Sequence, residues 1–324
     1  MARPRIAIVT PALAAANNGN WQTAWRWSRM LSAAYRTQIL PRWSGEAADL
    51  MIALHARRSA ESIAAWSAAR PSRPLVVVLT GTDLYRDIAV DAAAQRSLAL
   101  ADRLVVLQEQ GPRMLAPALR GKTRVVFQST AARRTLAKTR RHLRALMVGH
   151  LRPEKSPETW HKAARILAER DDILLDHIGA PLDEELAAAA RATAADCPNY
   201  RWLGALDHAQ TLKRIQRAHL LVHASRMEGG AHVVLEAVRA GTPVLASRID
   251  GNVGMLGADY AGYFRWGNAA QLAAMLVQCR QGQARADGGL LARMAAQCAA
   301  RAPLFAPARE AAELRALAAE LLGA

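Results

Sequence analysis

The segment Ser225-Arg226-Met227-Glu228-Gly229-Gly230-Ala231-His232-Val233-Val234-Leu235-Glu236 sets two carboxylates around a pair of glycines. Glycines let a backbone approach a ligand closely. The apolar run behind them predicts a helix starting near Gly230. The first amides of a helix lack intrahelical partners and attract phosphate. Glu228 precedes this anion site and Glu236 lies inside the helix. The helical residues between them rise roughly 9 Å at about 1.5 Å each, the reach from one sugar across a pyrophosphate to another. Carboxylates accept well from hydroxyl pairs and are poor neighbours for phosphate. The order hydroxyl, phosphate, hydroxyl fits a nucleotide sugar, although an ordinary strand-to-helix turn with two surface glutamates has the same composition. His232 either donates to the pyrophosphate or covers the surface.

Other loops carry groups suited to anions. Gly149-His150-Leu151-Arg152-Pro153-Glu154-Lys155 and Gly179-Ala180 each follow an apolar run. In the first half, His55, Arg57 and Arg58 follow one run, Thr80-Gly81-Thr82-Asp83 follows the next, and Gly19 and Asn20 close the polar loop Asn17–Asn20. Hydroxyls, backbone amides and guanidinium groups are the partners phosphate prefers. Arg57 and Arg58 are adjacent, so one of them is expected to face the ligand. His55 also fits a core histidine, and Thr82 or Asp83 a helix N-cap; a capped helix start is itself an anion site. No Asp-x-Asp pair stands at a strand end, and Asp171-Asp172 reads as a loop before a strand, so no divalent metal is expected. Cys197, Cys279 and Cys298 lack the paired spacing of a disulfide framework or a zinc site.

The elements that must position these groups are short apolar runs alternating with helical stretches. Strands are expected at Ile6–Thr10, Ile39–Leu40, Leu50–Leu54, Leu75–Leu79, Leu104–Leu107 and Val125–Phe127. After a basic linker at about 130–143, the series restarts at Ala145–Val148, Ile173–Ile178, Tyr200–Leu203, Leu220–His223 and Val244–Ala246. Trp21, Ala24, Trp25, Trp27 and Leu31 mark an early helix, and 309–322 a closing amphipathic one. Runs apolar on both faces suit parallel sheets covered by helices on each side. The expectation is therefore two doubly wound, Rossmann-like α/β domains facing a cleft, with ligands at the carboxyl ends of the strands. The domains are expected at 1–140 for the acceptor and 141–305 for the donor, with 306–324 a helix crossing back to the first.

The chain has 324 residues, 52% of them apolar, and a formal charge of +16. Basic residues are spread along the chain apart from one run, Arg133 to Arg144. Aromatic residues do not alternate with them as a nucleic-acid stacking platform requires, so neither nucleic acid nor stable membrane association is expected. No secretory or membrane-spanning segment is evident, and a cytoplasmic location is expected. Oligomeric state is not readable.

Glu228 and Glu236 resemble the E-x7-E motif of retaining GT-B glycosyltransferases, the large family of sucrose- and trehalose-type synthases. The resemblance implies that Glu228 contacts the transferred hexose and Glu236 the nucleotide ribose. Lys155 matches that family's phosphate-binding lysine, while His150 stands where its arginine is expected; Arg152 is the candidate for the missing charge. Gly179 matches the loop that passes the nucleotide, and Leu203, in Tyr200-Arg201-Trp202-Leu203-Gly204, the strand whose backbone meets the base. Arg226, Gly229, Gly230, Ala231 and His232 complete the implied donor set. A narrower resemblance is carried by Ala53-Leu54-His55-Ala56-Arg57-Arg58-Ser59, Leu79-Thr80-Gly81-Thr82-Asp83-Leu84-Tyr85-Arg86-Asp87, Gly149-His150-Leu151-Arg152-Pro153, Ser225–Gly230 and Gly251–Gly257. Together these are similar to the selenosugar synthases of selenoneine biosynthesis, which join selenophosphate to the anomeric carbon of a UDP-hexose such as UDP-N-acetylglucosamine or UDP-glucose, with loss of UDP and phosphate. This implies Glu228, Lys155 and His55 as catalytic residues. It implies an acceptor site of Gly19, Asn20, His55, Arg57, Thr80, Gly81, Thr82 and Asp83, and no cofactor beyond the two substrates. The preferred hexose, and retention or inversion, stay open.

Overall fold

The computed structural model describes residues 3–11 and 19–323; Asn17 and Asn18 lie outside them. Two six-stranded parallel sheets account for the strands. The first is built from β1 (Arg5–Val9), β2 (Arg36–Leu40), β3 (Leu50–Leu54), β4 (Leu75–Leu79), β5 (Arg103–Val106) and β6 (Thr123–Val125), in the order β2-β1-β3-β4-β5-β6. The second is built from β7 (Leu143–Val148), β8 (Ile173–Ile178), β9 (Tyr200–Trp202), β10 (Leu220–His223), β11 (Val244–Ser247) and β12 (Tyr263–Phe264), in the order β12-β11-β10-β7-β8-β9. Both are doubly wound. The strand direction of travel reverses between β1 and β3 in the first sheet, and between β7 and β10 in the second. Ligands of such sheets bind at these switch points, outside the carboxyl ends of the strands.

The apolar runs form these strands because both of their faces are buried. In the first sheet Val9, Met51, Val77 and Leu104 face a layer containing Ile63, Trp66 and Leu98. The alternate residues Ile8, Ile52, Val78 and Val105 face Ala24, Trp27, Leu31, Leu314 and Leu317, as the two-residue period of a strand dictates. The helix Gly19–Leu31 buries Thr23, Ala24, Trp27 and Leu31. Trp25, expected on its apolar face, is instead 44% exposed, with the Arg29 guanidinium 4.9 Å from its ring centre.

Two compact units result. The first comprises Met1–Ser129, Glu228–Gly230 and Ala306–Ala324; the second comprises Thr130–Met227 and Ala231–Phe305. The division after Ser129 lies upstream of the 140/141 boundary drawn from the sequence, and Glu228–Gly230 lies outside the donor unit expected for it. The reason for the first difference is local. Residues 130–142 form neither helix nor strand, yet Arg133 N–H donates to Arg239 O at 2.9 Å, the Lys138 ammonium to Gln216 O, and His219 Nε2 to Thr139 O at 2.8 Å. The basic run is thus tied to the second unit. Burial pushes the Lys138 ammonium down to about 8.

The closing helix Pro307–Leu322 belongs to the first unit, where it packs beside Gly19–Leu31. Its Glu310 is 1% exposed. It accepts from Arg26 Nε at 3.0 Å, Trp27 Nε1 at 2.7 Å and Ser129 Oγ at 2.5 Å. Glu310→Ala leaves a guanidinium, an indole N–H and a hydroxyl without their acceptor. It should cost about 3–5 kcal/mol by denaturant titration, and Glu310→Gln, which keeps an acceptor oxygen, less.

Candidate functional site

In the second unit the loops after β7 and β10 flank the switch point. The β7 loop runs from Gly149 through the 3₁₀ turn Pro153–Lys155. Gly149 lies against the Lys155 side chain: a Cβ there would stand 3.4 Å from Lys155 Cγ. Ser156 follows with φ +48, and its hydroxyl accepts from Trp266 Nε1 at 2.9 Å. The loop after β8 comes closer still. A Cβ on Gly179 would stand 1.9 Å from Gly149 O. His150 Nδ1 accepts from Ala180 N–H at 3.0 Å, which leaves Nε2 carrying the proton as an outward donor. Burial, then the charges of Arg152 and Lys155, hold the His150 imidazole below its usual value. The basic groups His150, Arg152 and Lys155 therefore share one loop and one field. Arg226 N–H donates to Glu154 O at 2.9 Å and ties the β10 loop to this one; its side chain is exposed. On the strand whose backbone is expected to meet the base, Leu203 N–H donates to His177 O at 2.8 Å.

Beneath this loop lies a buried polar group that the sequence did not single out. His177 is fully buried; its Nε2 reaches Gly149 O at 3.2 Å and its Nδ1 the Tyr200 hydroxyl at 3.1 Å. A carbonyl only accepts, so Nε2 carries the proton and the Tyr200 hydroxyl donates to Nδ1. His161 is also buried, its ring centre 6.0 Å from that of His177. Burial pushes His177 down to about 3 and His161 to about 4. Both are neutral in the fold, whereas an unfolded chain protonates them near 6.5. Their contribution is complete above about pH 6.5 and is lost as pH falls towards 4. Stability should then drop by up to about 1.4 kcal/mol per pH unit for each histidine. Denaturant midpoints measured from pH 8 to pH 4 check this; a flat profile below 6.5 contradicts it.

The helix His232–Arg239 follows β10, with Ala231 at its N-cap and no side-chain cap; Ala231 N–H contacts Met255 Sδ at 3.2 Å. Glu236, on the second turn, is 5% exposed. Its Oε1 accepts from His208 Nε2 at 2.7 Å, and His232 Nε2 stands 3.6 Å away.

In the first unit the loop after β3 borders the other switch point. His55 is 1% exposed and holds φ +73, a left-handed conformation that costs a non-glycine residue about 1–2 kcal/mol. Among the described residues, His55 and Ser156 are the two non-glycines with positive φ, and each sits on a candidate loop. His55 Nε2 lies 3.2 Å from Thr82 Oγ1. Burial holds the imidazole below its usual value, against the pull of Asp83. Asp83 is not exposed for a ligand: its oxygens accept from Ala56 N–H at 3.0 Å, Thr80 N–H at 2.8 Å and Thr80 Oγ1 at 2.9 Å. It braces the loop and, by accepting from Thr80 N–H three residues back as in a capping box, the start of the helical stretch 81–90, whose middle is the π-turn Asp83–Asp87. Asp87 accepts from Arg57 Nε at 2.8 Å and Arg86 Nε at 3.0 Å. Partial burial opposes ionisation there, but hydrogen bonds from Arg86 and Arg57 hold the carboxyl below its usual value. Arg57 and Arg58 are both exposed. Gly19 and Asn20 form the first turn of a helix, not the loop expected. Glu228–Gly230 clusters here as well. A Cβ on Gly229 would stand 2.6 Å from Gly81 N and Thr80 C, so only glycine fits.

Thus His150, Arg152, Lys155 and Gly179 come together, as do His232 and Glu236, and as do His55, Arg57, Thr80, Gly81, Thr82 and Asp83. Among the described residues no group of three or more His, Cys, Asp and Glu is arranged to hold a metal ion, and no helix is long and apolar enough to cross a membrane.

Residues 128–278 match the family "Glycosyl transferases group 1". The D-inositol 3-phosphate glycosyltransferase of Streptomyces avermitilis is 26% identical over 281 residues, covering 72% of this chain and 60% of that protein; the chain thus spans less than two thirds of this relative's length. Among solved structures, the sucrose-phosphate synthase of Thermosynechococcus elongatus superposes with a TM-score of 0.76 at 16% identity, covering 99% of this chain and 100% of that one. HepE of Anabaena, solved with UDP, gives 0.72 at 13% identity, covering 98% and 99%. The pneumococcal O-GlcNAc transferase GtfA, solved with UDP and GlcNAc, gives 0.65 at 16%, covering 93% and 60%. The fold is that of GT-B glycosyltransferases.

Proposed function

We propose that this chain, whose residues 128–278 match the group 1 glycosyl transferases, moves a hexose from a UDP-hexose to selenophosphate and so makes a 1-selenosugar. The donor half rests on the switch point of the second sheet. Lys155, with Arg152 and the Nε2 proton of His150, stabilises the diphosphate as it leaves. The helix start at His232 adds its amide, and Glu236 takes the ribose hydroxyls. The group 1 match and the UDP-bound neighbours support this half.

The acceptor half rests on one observation. Around His55 and Thr80–Thr82 the two aspartates, Asp83 and Asp87, are engaged by internal hydrogen bonds, and Glu228 is the third carboxylate of the cluster. Arg57 and Arg58 stay exposed beside them, and guanidinium groups suit a small phosphate-like anion. Selenophosphate arrives already anionic and needs no general base. A selenium lone pair forms the C–Se bond while the anomeric C–O bond breaks and its electrons leave with UDP. Water then cleaves the Se–P bond and releases phosphate. With cationic side chains at the diphosphate, no divalent metal is called for in this scheme.

The test is to incubate the protein with UDP-N-acetylglucosamine or UDP-glucose and selenophosphate, with and without EDTA. UDP release and a selenium-bearing sugar by mass spectrometry are expected in both. UDP release only with an alcohol acceptor would instead support the second reading, a hexosyltransferase to a hydroxyl group. The observation favouring that reading is the buried, neutral His55 imidazole 3.2 Å from a hydroxyl, an arrangement able to take a proton.

A further inference from the structure

His208 stands next to the donor helix without a part in the scheme so far. It is the first residue of the helix His208–Arg217, whose N-cap Asp207 accepts from Gln210 N–H at 2.7 Å. Its side chain is 70% exposed, yet its Nε2 is 2.7 Å from Oε1 of Glu236, a carboxylate with 6% of its side chain exposed. A carboxylate this deep in the fold needs a partner to stay charged and in one rotamer. His232 offers a second contact, at 3.6 Å, and to the same oxygen. Both contacts fall on Oε1.

We propose that His208 is a positioning residue for the nucleotide donor, pinning Oε1 of Glu236 so that Oε2 is presented in a fixed direction to the ribose hydroxyls. This rests on the donor reading above and adds a specificity element to it. Loss of the pin leaves Glu236 free to turn towards His232, so the preference for an intact ribose should fall while the diphosphate contacts survive. The charged and titratable groups facing the His208 ring are Glu236, Asp207 and Arg133, and His232 approaches the same Glu236 oxygen. The hydrogen bond that His208 donates to Glu236 raises the imidazole above its usual value. The charged form of the pin is therefore present at low pH and lost as pH rises through that raised value.

Calorimetry with UDP, 2′-deoxy-UDP and 3′-deoxy-UDP on the wild-type, His208→Ala and His208→Gln chains tests this without an acceptor. Wild type should prefer UDP to either analogue. His208→Ala should bind UDP about tenfold more weakly and the analogues as wild type does, erasing the preference. His208→Gln, whose amide still donates, should keep the preference but lose the weakening of UDP binding seen in wild type between pH 6 and pH 9. If His208→Ala leaves UDP binding unchanged, or weakens all three ligands equally, the role of His208 is overturned and the donor site stands. If wild type binds no UDP, the donor reading falls, and this one with it.

Discussion

Lys155→Ala should lower turnover about 10²–10³-fold, the usual cost of removing one group that stabilises charge developing in a transition state. The diphosphate gains negative charge only as the anomeric C–O bond breaks, so the lysine's attraction is stronger in the transition state than for the bound donor. The loss should therefore fall mainly on kcat and only modestly on KM for the UDP-hexose. Geometry supports a fixed position for this charge. The Lys155 stem lies along Gly149, where a Cβ would come within 3.4 Å of it, and the turn that carries it is closed by Lys155 N–H to Arg152 O at 3.0 Å. His150 and Arg152 share the loop but differ in kind. His150 is a neutral donor, because burial and the two neighbouring cations lower its basicity. Arg152 is exposed and more fully screened by solvent. Neither replaces a partly buried ammonium. Steady-state kinetics on Lys155→Ala and Lys155→Arg check the assignment. A variant with wild-type kcat removes Lys155 from the reaction; partial recovery by arginine is expected, because charge returns but the short stem geometry does not.

How much of this was legible beforehand follows from range. The strands were readable because both faces of each run are buried, so Leu50–Leu54 and Leu75–Leu79 carry no polar residue to blur them. The two-residue strand Tyr263–Phe264 is too short to show a period. Residues whose partner lies within a few positions are placed in the right loop: of the two cap candidates, Thr82 and Asp83, Asp83 binds a local amide, backwards to Thr80, and also reaches across to Ala56. Long-range partners left no trace. His208 and Glu236 are 28 positions apart and Trp27 and Glu310 are 283 apart, and nothing in either neighbourhood encodes the other. The left-handed backbone of His55 was equally silent, since histidine does not announce a positive φ as glycine does. Chemistry-bearing types thus showed where the loops were, and the sheet order determined which of them meet.

Gly179→Ala should be the most damaging single methyl in the second unit. The added Cβ would stand 1.9 Å from Gly149 O, 2.6 Å from Gly149 C and 2.9 Å from His150 Cα. All three are backbone or backbone-attached atoms, so no side chain can swing aside. The β7 and β8 loops must part instead. Several bonds cross that seam: Gly149 N–H to Ile178 O at 2.9 Å, Leu151 N–H to Ala180 O at 2.9 Å and Ala180 N–H to His150 Nδ1 at 3.0 Å. The Gly149 carbonyl also accepts from His177, so its displacement would strand a buried imidazole N–H. Overpacking alone costs about 1–3 kcal/mol, and an unsatisfied buried donor adds about 1–3 kcal/mol. A total of roughly 2–6 kcal/mol is expected, with UDP binding lost in whatever fraction still folds, because His150 and Lys155 are carried by the displaced loop. Gly204→Ala separates this from a generic glycine effect. Gly204 has φ +68 and nothing within 4 Å of an added Cβ, so alanine there should cost only the left-handed strain, about 1–2 kcal/mol, and spare UDP binding. Denaturant titration and UDP calorimetry on the two variants decide it. Equal losses would mean that the close approach of Gly179 to Gly149 does not govern the donor loop.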